Sequence, residues 1–233
     1  MAPPGLVIFD CDGVLVDTEA THCRMLSRNL ARHGLTISPE DCMARFLGSR
    51  MATIGETATR MGATLPEDWI DEAYGEIFAE LAKGVPVIDG ISEVLDILDA
   101  NGISFCVASN GAEEKMSITL GGNGIIRRFD GRIFSAYAVG IWKPDPGLFR
   151  HAAGSFGVAA ADCVVVEDSV VGATAARRAG MRCFGYAPHG DGARLAEQGA
   201  TPFADMAALP GLLGINRGPG EPSSAIQTAR DAG

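Results

Sequence analysis

The sequence predicts an α/β fold, a parallel sheet with helices on both faces and a small all-helical segment inserted after the first strand. Three observations carry this. One apolar run, Leu6-Val7-Ile8, stands near the N-terminus and reads as a buried strand. From about residue 85 onward, apolar runs alternate with helical patterns, as in a parallel sheet covered on both sides. Between them, residues 17–83 show helical periodicity throughout and no strand pattern.

After Ile8 the chain meets Phe9-Asp10-Cys11-Asp12-Gly13, where Gly13 permits a sharp turn. Residues 18–34 read as a helix with Met25, Leu26 and Leu30 on its apolar face and Gly34 as its stop. Ser38-Pro39-Glu40-Asp41 is a helix start, with Ser as N-cap and Pro in the first helical position, and that helix runs to about Leu47. Gly48-Ser49-Arg50 is a break. Helices follow over 51–61, ended by Gly62, and from Pro66 through Trp69, Ala73, Ile77 and Leu81 to Lys83. Then come a helix at 90–100, a strand at 104–108, a helix at 112–120 and a strand at 133–139. A helix at 146–156 leads to the clearest buried strand, 163–166. A helix at 172–179, a strand at 181–186 and a helix at 191–198 follow. A short strand at 201–204 and a helix at 206–213 complete the fold. Residues 216–233 are polar with Gly, Pro and Ser, and read as a loose tail. The expected organisation is a core of 1–16 and 84–215, a helical insertion over 17–83 and a tail over 216–233.

At 233 residues, 47% hydrophobic and 21% charged, the chain is long enough to fold without disulfides or a structural metal. Its net charge of -10 argues against nucleic acid or an anionic membrane as a general partner, but not against an anionic substrate at a locally positive site. The six cysteines include no Cys-x-x-Cys pair, and reduced core thiols are expected. The N-terminal residues Met-Ala-Pro-Pro-Gly have neither a basic region nor a long apolar stretch, so no signal peptide or membrane span is expected. The expectation is a cytoplasmic monomer.

Polar residues collect where the predicted strands end, which is where open α/β sheets bind their ligands. The first strand delivers Asp10 and Asp12, two residues apart and so on one side of an extended chain. The second delivers Ser109-Asn110-Gly111, the third is followed by Trp142-Lys143-Pro144-Asp145-Pro146, and the fourth delivers Glu167-Asp168-Ser169. Alone, an Asp-x-Asp-Gly is an ordinary acidic turn, a Ser a helix cap and a Lys a solvated charge. Together their order and common position point to one site. Asp10, Asp12, Asp168 and Glu167 offer oxygen ligands of the kind that suit Mg²⁺, and the histidines lack metal-ligand spacing. Ser109 offers a hydroxyl, and the loop after it offers N–H groups suited to phosphate oxygens. Lys143, one of three lysines, adds positive charge. A carboxylate nucleophile with metal, lysine and hydroxyl describes phosphoryl transfer through an aspartyl-phosphate.

These four segments resemble the four motifs of the haloacid dehalogenase-like hydrolase superfamily, over about residues 5–213. The resemblance implies a Rossmann-like core with a small helical cap. It implies that Asp10 is the nucleophile and Asp12 the general acid and base, that Ser109, Asn110 and Lys143 hold phosphate, and that Asp10, Glu167, Asp168 and the backbone carbonyl of Asp12 bind Mg²⁺. Within the superfamily the chain resembles the β-phosphoglucomutase-like subfamily, and there the bacterial sugar phosphatases of the 6-phosphogluconate type. In that subfamily Gly48-Ser49-Arg50 falls where a cap loop faces the substrate and reads its organic part, with Glu19, His22 and Lys115 as further candidates for that contact. Asp12 sets the chain apart from dehalogenases, which lack the second Asp. The mutases hold a second phosphate with cap Arg and Lys residues, whereas Asp71-Glu72-Ala73-Tyr74-Gly75-Glu76 offers no lysine. The expected function is therefore a Mg²⁺-dependent phosphatase of a small phosphorylated metabolite, a sugar phosphate or phosphorylated sugar acid. A hexose-phosphate mutase and a non-catalytic metabolite-binding sensor are the rival readings.

Overall fold

The structure, a computed structural model, describes residues 2–46, 49, 51–188, 190 and 192–215. The expected tail, the helix end at Leu47, and Gly48 and Arg50 lie outside the described residues.

The strands β1 (Leu6–Phe9), β2 (Ser104–Ser109), β3 (Ile133–Ser135), β4 (Cys163–Glu167), β5 (Arg182–Tyr186) and β6 (Thr201–Phe203) form one 6-stranded sheet in the order β3-β2-β1-β4-β5-β6. Every neighbouring pair is parallel. Successive residues of a strand face opposite sides, and the sequence uses this to build two apolar layers. Val7, Phe9, Phe105, Val107, Val164 and Val166 point to one face. Leu6, Ile8, Cys106, Ala108, Cys163 and Val165 point to the other. The first layer is covered by helices α5 (Ile91–Ala100) and α6 (Glu113–Gly121), the second by α8 (Gly147–Ser155) and α9 (Val170–Ala179). All six cysteines are buried and free, as expected for core thiols.

Strand order reverses at β1, whose neighbours β2 and β4 lead to opposite edges. Phe9 pairs with Val107 on one side and Val166 on the other, so Asp10 stands level with Ala108 and Glu167. The chain thus sets its first carboxylate at the topological switch point.

The insertion contains α1 (Glu19–Arg32), α2 (Pro39–Phe46), α3 (Met51–Arg60) and α4 (Trp69–Leu81). Its own apolar cluster includes Leu26, Leu30, Phe46, Ile54 and Trp69. Buried Asn29 accepts the Trp69 indole N–H at 2.7 Å and donates to Glu72 and Glu76, which also meet Arg32. Ile77 and Leu81, late in α4, join the layer on the sheet instead.

Several boundaries differ from the sequence reading, each for a local reason. The helix expected from Pro66 begins at Trp69, because the Pro66 carbonyl accepts the Trp69 N–H at 3.2 Å in a turn. The strand expected over 133–139 stops at Ser135, whose hydroxyl accepts the Tyr137 N–H and caps the short helix α7 (Ala136–Val139). Helix α9 starts at Val170, two residues early, because extended Ser169 is its N-cap and accepts the Gly172 N–H at 3.0 Å. The last two helices are shorter than expected. They are α10 (Gly192–Ala196) and α11 (Leu209–Leu212), the latter preceded by a 3₁₀ turn at Met206–Ala208. A further 3₁₀ turn at Ile125–Phe129 carries no helical period, yet it seats Phe129 edge-on to Phe105, with centroids 5.4 Å apart. Among the described residues no helix is long and apolar enough to cross a membrane.

Candidate active site

The polar strand ends meet at the carboxyl edge of the sheet. Asp10 follows β1, and its backbone N–H donates to the Val166 carbonyl at 2.9 Å, which fixes the turn out of the strand. Lys143, on the loop after α7, is buried, and its Nζ donates to Asp10 Oδ1 and to Glu167 Oε1, both at 2.6 Å. Its ammonium also stands 4.8 Å from the centre of the Phe149 ring. Burial works against the Lys143 charge, but Asp10 and Glu167 outweigh it and hold its pKa above the ordinary lysine value. Lys143 is therefore a fixed cation. Its loop is positioned by Asn110, whose side-chain oxygen accepts the Lys143 N–H at 2.8 Å and whose amide donates to the Lys143 carbonyl at 3.2 Å.

Glu167 is nearly inaccessible, at 1%. One of its oxygens faces Lys143. The other accepts the Asp168 and Ser169 backbone N–H groups and the Ser169 hydroxyl, at 2.8–3.1 Å. This anchoring leaves room for no side chain at residue 172, where a Cβ would stand 1.7 Å from Glu167 Oε1. Gly172→Ala should cost about 1–3 kcal/mol through this overlap. Gly154→Ala, in α8 with nothing within 4 Å, should stabilise by about 0.4–1 kcal/mol. Thermal unfolding of the two variants beside the wild type checks the contrast.

Asp10, Glu167 and Asp168 each place a carboxylate oxygen within 4.8 Å of the others. Gly13, at φ +76°, brings the first loop against Asp168, where a Cβ would stand 2.1 Å from Oδ2. Burial pushes the Asp10 pKa up to about 7, with Glu167 and Asp12 adding to the rise and Lys143 opposing it. Burial and the neighbouring Glu167 and Asp10 likewise hold Asp168 well above the ordinary carboxylate value. Clustered carboxylates that resist ionising this strongly lack enough positive charge, and a hard divalent cation would supply it. The donor set, all oxygen, fits Mg²⁺.

Asp12 turns away from this cluster. The Thr18 hydroxyl donates to its Oδ1 at 2.8 Å and Lys115 Nζ to its Oδ2 at 2.6 Å. Thr18 stands just before α1, so the first helix of the insertion is tied to this carboxylate. Ser109 is buried and its Oγ accepts the Gly111 N–H at 3.1 Å. A side chain at Gly111 would meet Ser109 Oγ, Asp12 Oδ2 and Lys115 at 3.4–3.9 Å, so these three groups converge on one point. His22 is close enough for Lys115 to affect it: burial first, then that ammonium, lowers its pKa. Glu19 lies near enough to add to the rise at Asp168. Ser49 is exposed. Lys115, expected to face the substrate, is paired with Asp12. Thr18 and Phe149 were not singled out by the sequence, because only folding brings them to Asp12 and Lys143.

Beside these groups a cleft of about 510 Å³ runs between the insertion and the sheet. Met51, Ile70 and Tyr74 line one wall, and Asn110, Tyr137 and Trp142 the other.

The chain is 32% identical over 208 residues to the 6-phosphogluconate phosphatase of Escherichia coli, covering 88% of this chain and 93% of that protein. The structure resembles a haloacid dehalogenase-like protein of unknown function from Agrobacterium tumefaciens, with a TM-score of 0.81 and 33% identity over 90% of this chain and 97% of that one. It also resembles a HAD family hydrolase from Deinococcus radiodurans, solved with bound phosphate and sodium, with a TM-score of 0.82 and 30% identity over 91% and 96% of the two chains. The haloacid dehalogenase-like hydrolase model matches residues 4–180, a span that includes every strand end delivering a carboxylate, the lysine or the serine, and this chain belongs to that family.

Proposed function

We propose that the chain is a Mg²⁺-dependent phosphatase that hydrolyses a phosphate monoester of a small sugar or sugar acid through an aspartyl-phosphate. The observation that carries this reading is the buried Lys143 ammonium, 2.6 Å from both Asp10 and Glu167 and beside the three-carboxylate cluster. A nucleophile, a fixed cation and a set of metal ligands meet there. The phosphatase relative from Escherichia coli and the phosphate held by the Deinococcus radiodurans hydrolase support it.

In this reading Asp10 attacks phosphorus, forming an acyl phosphate while the bond to the sugar oxygen breaks. Asp12 gives its proton to that oxygen. It then takes a proton from water as the water attacks phosphorus, freeing Asp10 and inorganic phosphate. Ser109, the N–H groups around Asn110 and Lys143 hold the phosphoryl oxygens. Thr18 and Lys115 hold the Asp12 carboxylate in place. Asp10, Asp168 and the Asp12 carbonyl would hold Mg²⁺, which neutralises charge on the phosphoryl group as it moves. Glu167, with its oxygens committed to Lys143 and to backbone donors, anchors the lysine and completes the negative set. Residues 17–83 form the cap in this scheme, and residues 1–16 with 84–215 the catalytic core.

Chelation should abolish activity, and Asp168→Asn should weaken Mg²⁺ binding without destabilising the fold. Metal must displace protons from Asp10 and Asp168, so Mg²⁺ affinity should rise as pH increases through about 7, where Asp10 titrates. Calorimetric titration with Mg²⁺ at pH 6 and pH 8 checks the sign. Full turnover in excess EDTA, with metal shown to be absent, would sink the reading.

The mutase reading is disfavoured by the insertion. The acidic side chains Glu72 and Glu76 of α4 are bonded to Asn29 and Arg32, and Lys83 pairs with Glu80. Given a hexose 1-phosphate, the enzyme should release inorganic phosphate without accumulating the 6-phosphate. Isomerisation with little phosphate release would make it a mutase, and binding with neither reaction would make it a sensor.

A further inference from the structure

We propose that Ser135 is a positioning residue of the phosphoryl site: its hydroxyl holds the Gly111 carbonyl, and through Gly111 it sets the direction in which Ser109 offers its proton. The inference rests on the phosphatase reading and adds to it a residue that stands behind the reacting groups. Ser135 is the last residue of β3 and lies in register with Ser109, the last residue of β2. It is 1% exposed. Its Oγ donates to the Gly111 carbonyl at 2.7 Å and accepts the Tyr137 N–H at 3.2 Å. These roles cannot be exchanged, since a carbonyl only accepts and an amide N–H only donates. The Ser135 proton is therefore committed to the loop after β2. Capping α7 needs only the acceptor. The donated bond to Gly111 is the part that capping leaves unexplained.

Gly111 is where that bond acts. A glycine backbone is permissive, so its conformation here depends on its partners. Each peptide plane beside Gly111 is pinned by one serine. Ser109 Oγ accepts the Gly111 N–H at 3.1 Å and fixes the plane before it, and Ser135 Oγ fixes the plane after it. Two paired strand ends thus close on one residue. The consequence falls on Ser109. A hydroxyl has one proton and two acceptor positions. With the Gly111 N–H on one acceptor position, the Ser109 proton stays available for a phosphoryl oxygen. Without the Ser135 hydroxyl, the half-buried Gly111 carbonyl loses its partner, and the chain can rotate there to find another. The N–H that orients the Ser109 hydroxyl would then be misplaced for part of the time.

Three measurements test this: kcat/KM on p-nitrophenyl phosphate, and the affinities for Mg²⁺ and for inorganic phosphate by calorimetry. Ser135→Ala should lower kcat/KM by about tenfold and weaken phosphate binding by a similar factor. Its Mg²⁺ affinity should stay within about twofold of wild type, because the cluster of Asp10, Glu167 and Asp168 does not use this bond. Ser135→Thr keeps the hydroxyl and should restore both losses. Ser135→Cys fills the same place with a weaker donor and should fall between, which keeps the comparison open if the alanine variant folds poorly. A double-variant cycle then separates positioning from general support of the fold. In a Ser109→Ala background, Ser135→Ala should cost less than about twofold further, because the residue it acts through is gone. Losses that multiply in the double variant, a matching loss of Mg²⁺ affinity, or wild-type activity in Ser135→Ala or Ser135→Cys would overturn the inference and leave the phosphatase reading intact. A wild type that hydrolyses no phosphate ester would overturn both.

Discussion

Asp10→Asn should remove turnover on every phosphate ester, by about 10⁴-fold or more, and should trap no covalent phosphate. The change keeps the shape of the side chain and removes the nucleophilic oxygen. The fold should survive it and gain. Asp10 is buried, its pKa is pushed up to about 7 by that burial, and Glu167 and Asp12 add to the rise. A carboxyl group whose pKa is higher folded than unfolded stabilises the fold fully only below its unfolded value. That contribution is lost as pH rises through the folded value. Without Mg²⁺ the wild type therefore loses stability between about pH 4 and about pH 7 by ionising Asp10, and the Asn variant does not. The melting temperature of Asp10→Asn should equal or exceed that of the wild type in EDTA, with a gap that widens from pH 5 to pH 8. Added Mg²⁺ should close the gap by stabilising the wild type. Inactivity combined with a lower melting temperature at every pH would mean that Asp10 serves the fold, and the loss of turnover would then say nothing about a nucleophile.

Much of this site could be read from the chain because it sits where local rules apply. An apolar run followed by Asp10, a Ser after the 104–108 run, a Lys before Pro144 and an acidic pair after the 163–166 run are each strand-end signals. The parallel register then brings Asp10 level with Glu167. What local rules miss is direction. Asp10 and Asp12 share one side of an ideal strand, yet the chain leaves β1 at Phe9, so the two side chains separate, one toward Lys143 and the other toward Thr18 and Lys115. Nothing near Lys115 in sequence announces its partner Asp12, 103 residues away. The shortened β3 has the same origin. Ala136 to Val139 look like strand by composition, and one serine hydroxyl bonded to the Tyr137 N–H turns them into helix. The aromatic cleft carried even less signal, since its walls come from α3, α4, the 136–142 segment and the loop after β2.

The divergence of the two aspartates sharpens the test of Asp12. A sugar alkoxide is a poor leaving group and needs a proton, whereas an aryl oxide leaves well without one. General acid catalysis typically contributes about 10²–10⁴-fold, so Asp12→Ala should slow the first step with a sugar phosphate by about that factor. With an aryl phosphate the first step should slow much less. The second step, attack of water on the aspartyl-phosphate, needs Asp12 as base whichever group has left. The variant should therefore give a rapid burst of phenol, close to one equivalent per enzyme, followed by slow turnover. Thr18→Val and Lys115→Met remove the two donors that hold Asp12, at 2.8 and 2.6 Å, but leave the carboxyl group in place. Their losses should be smaller than that of Asp12→Ala and should fall in kcat more than in KM, as expected for residues that act through Asp12. Rapid-mixing kinetics with both substrate types separates these cases. A variant lacking Asp12 that turns over sugar phosphates at the wild-type rate would remove Asp12 from the mechanism, and its bonds to Thr18 and Lys115 would then serve only to tie the insertion to the sheet.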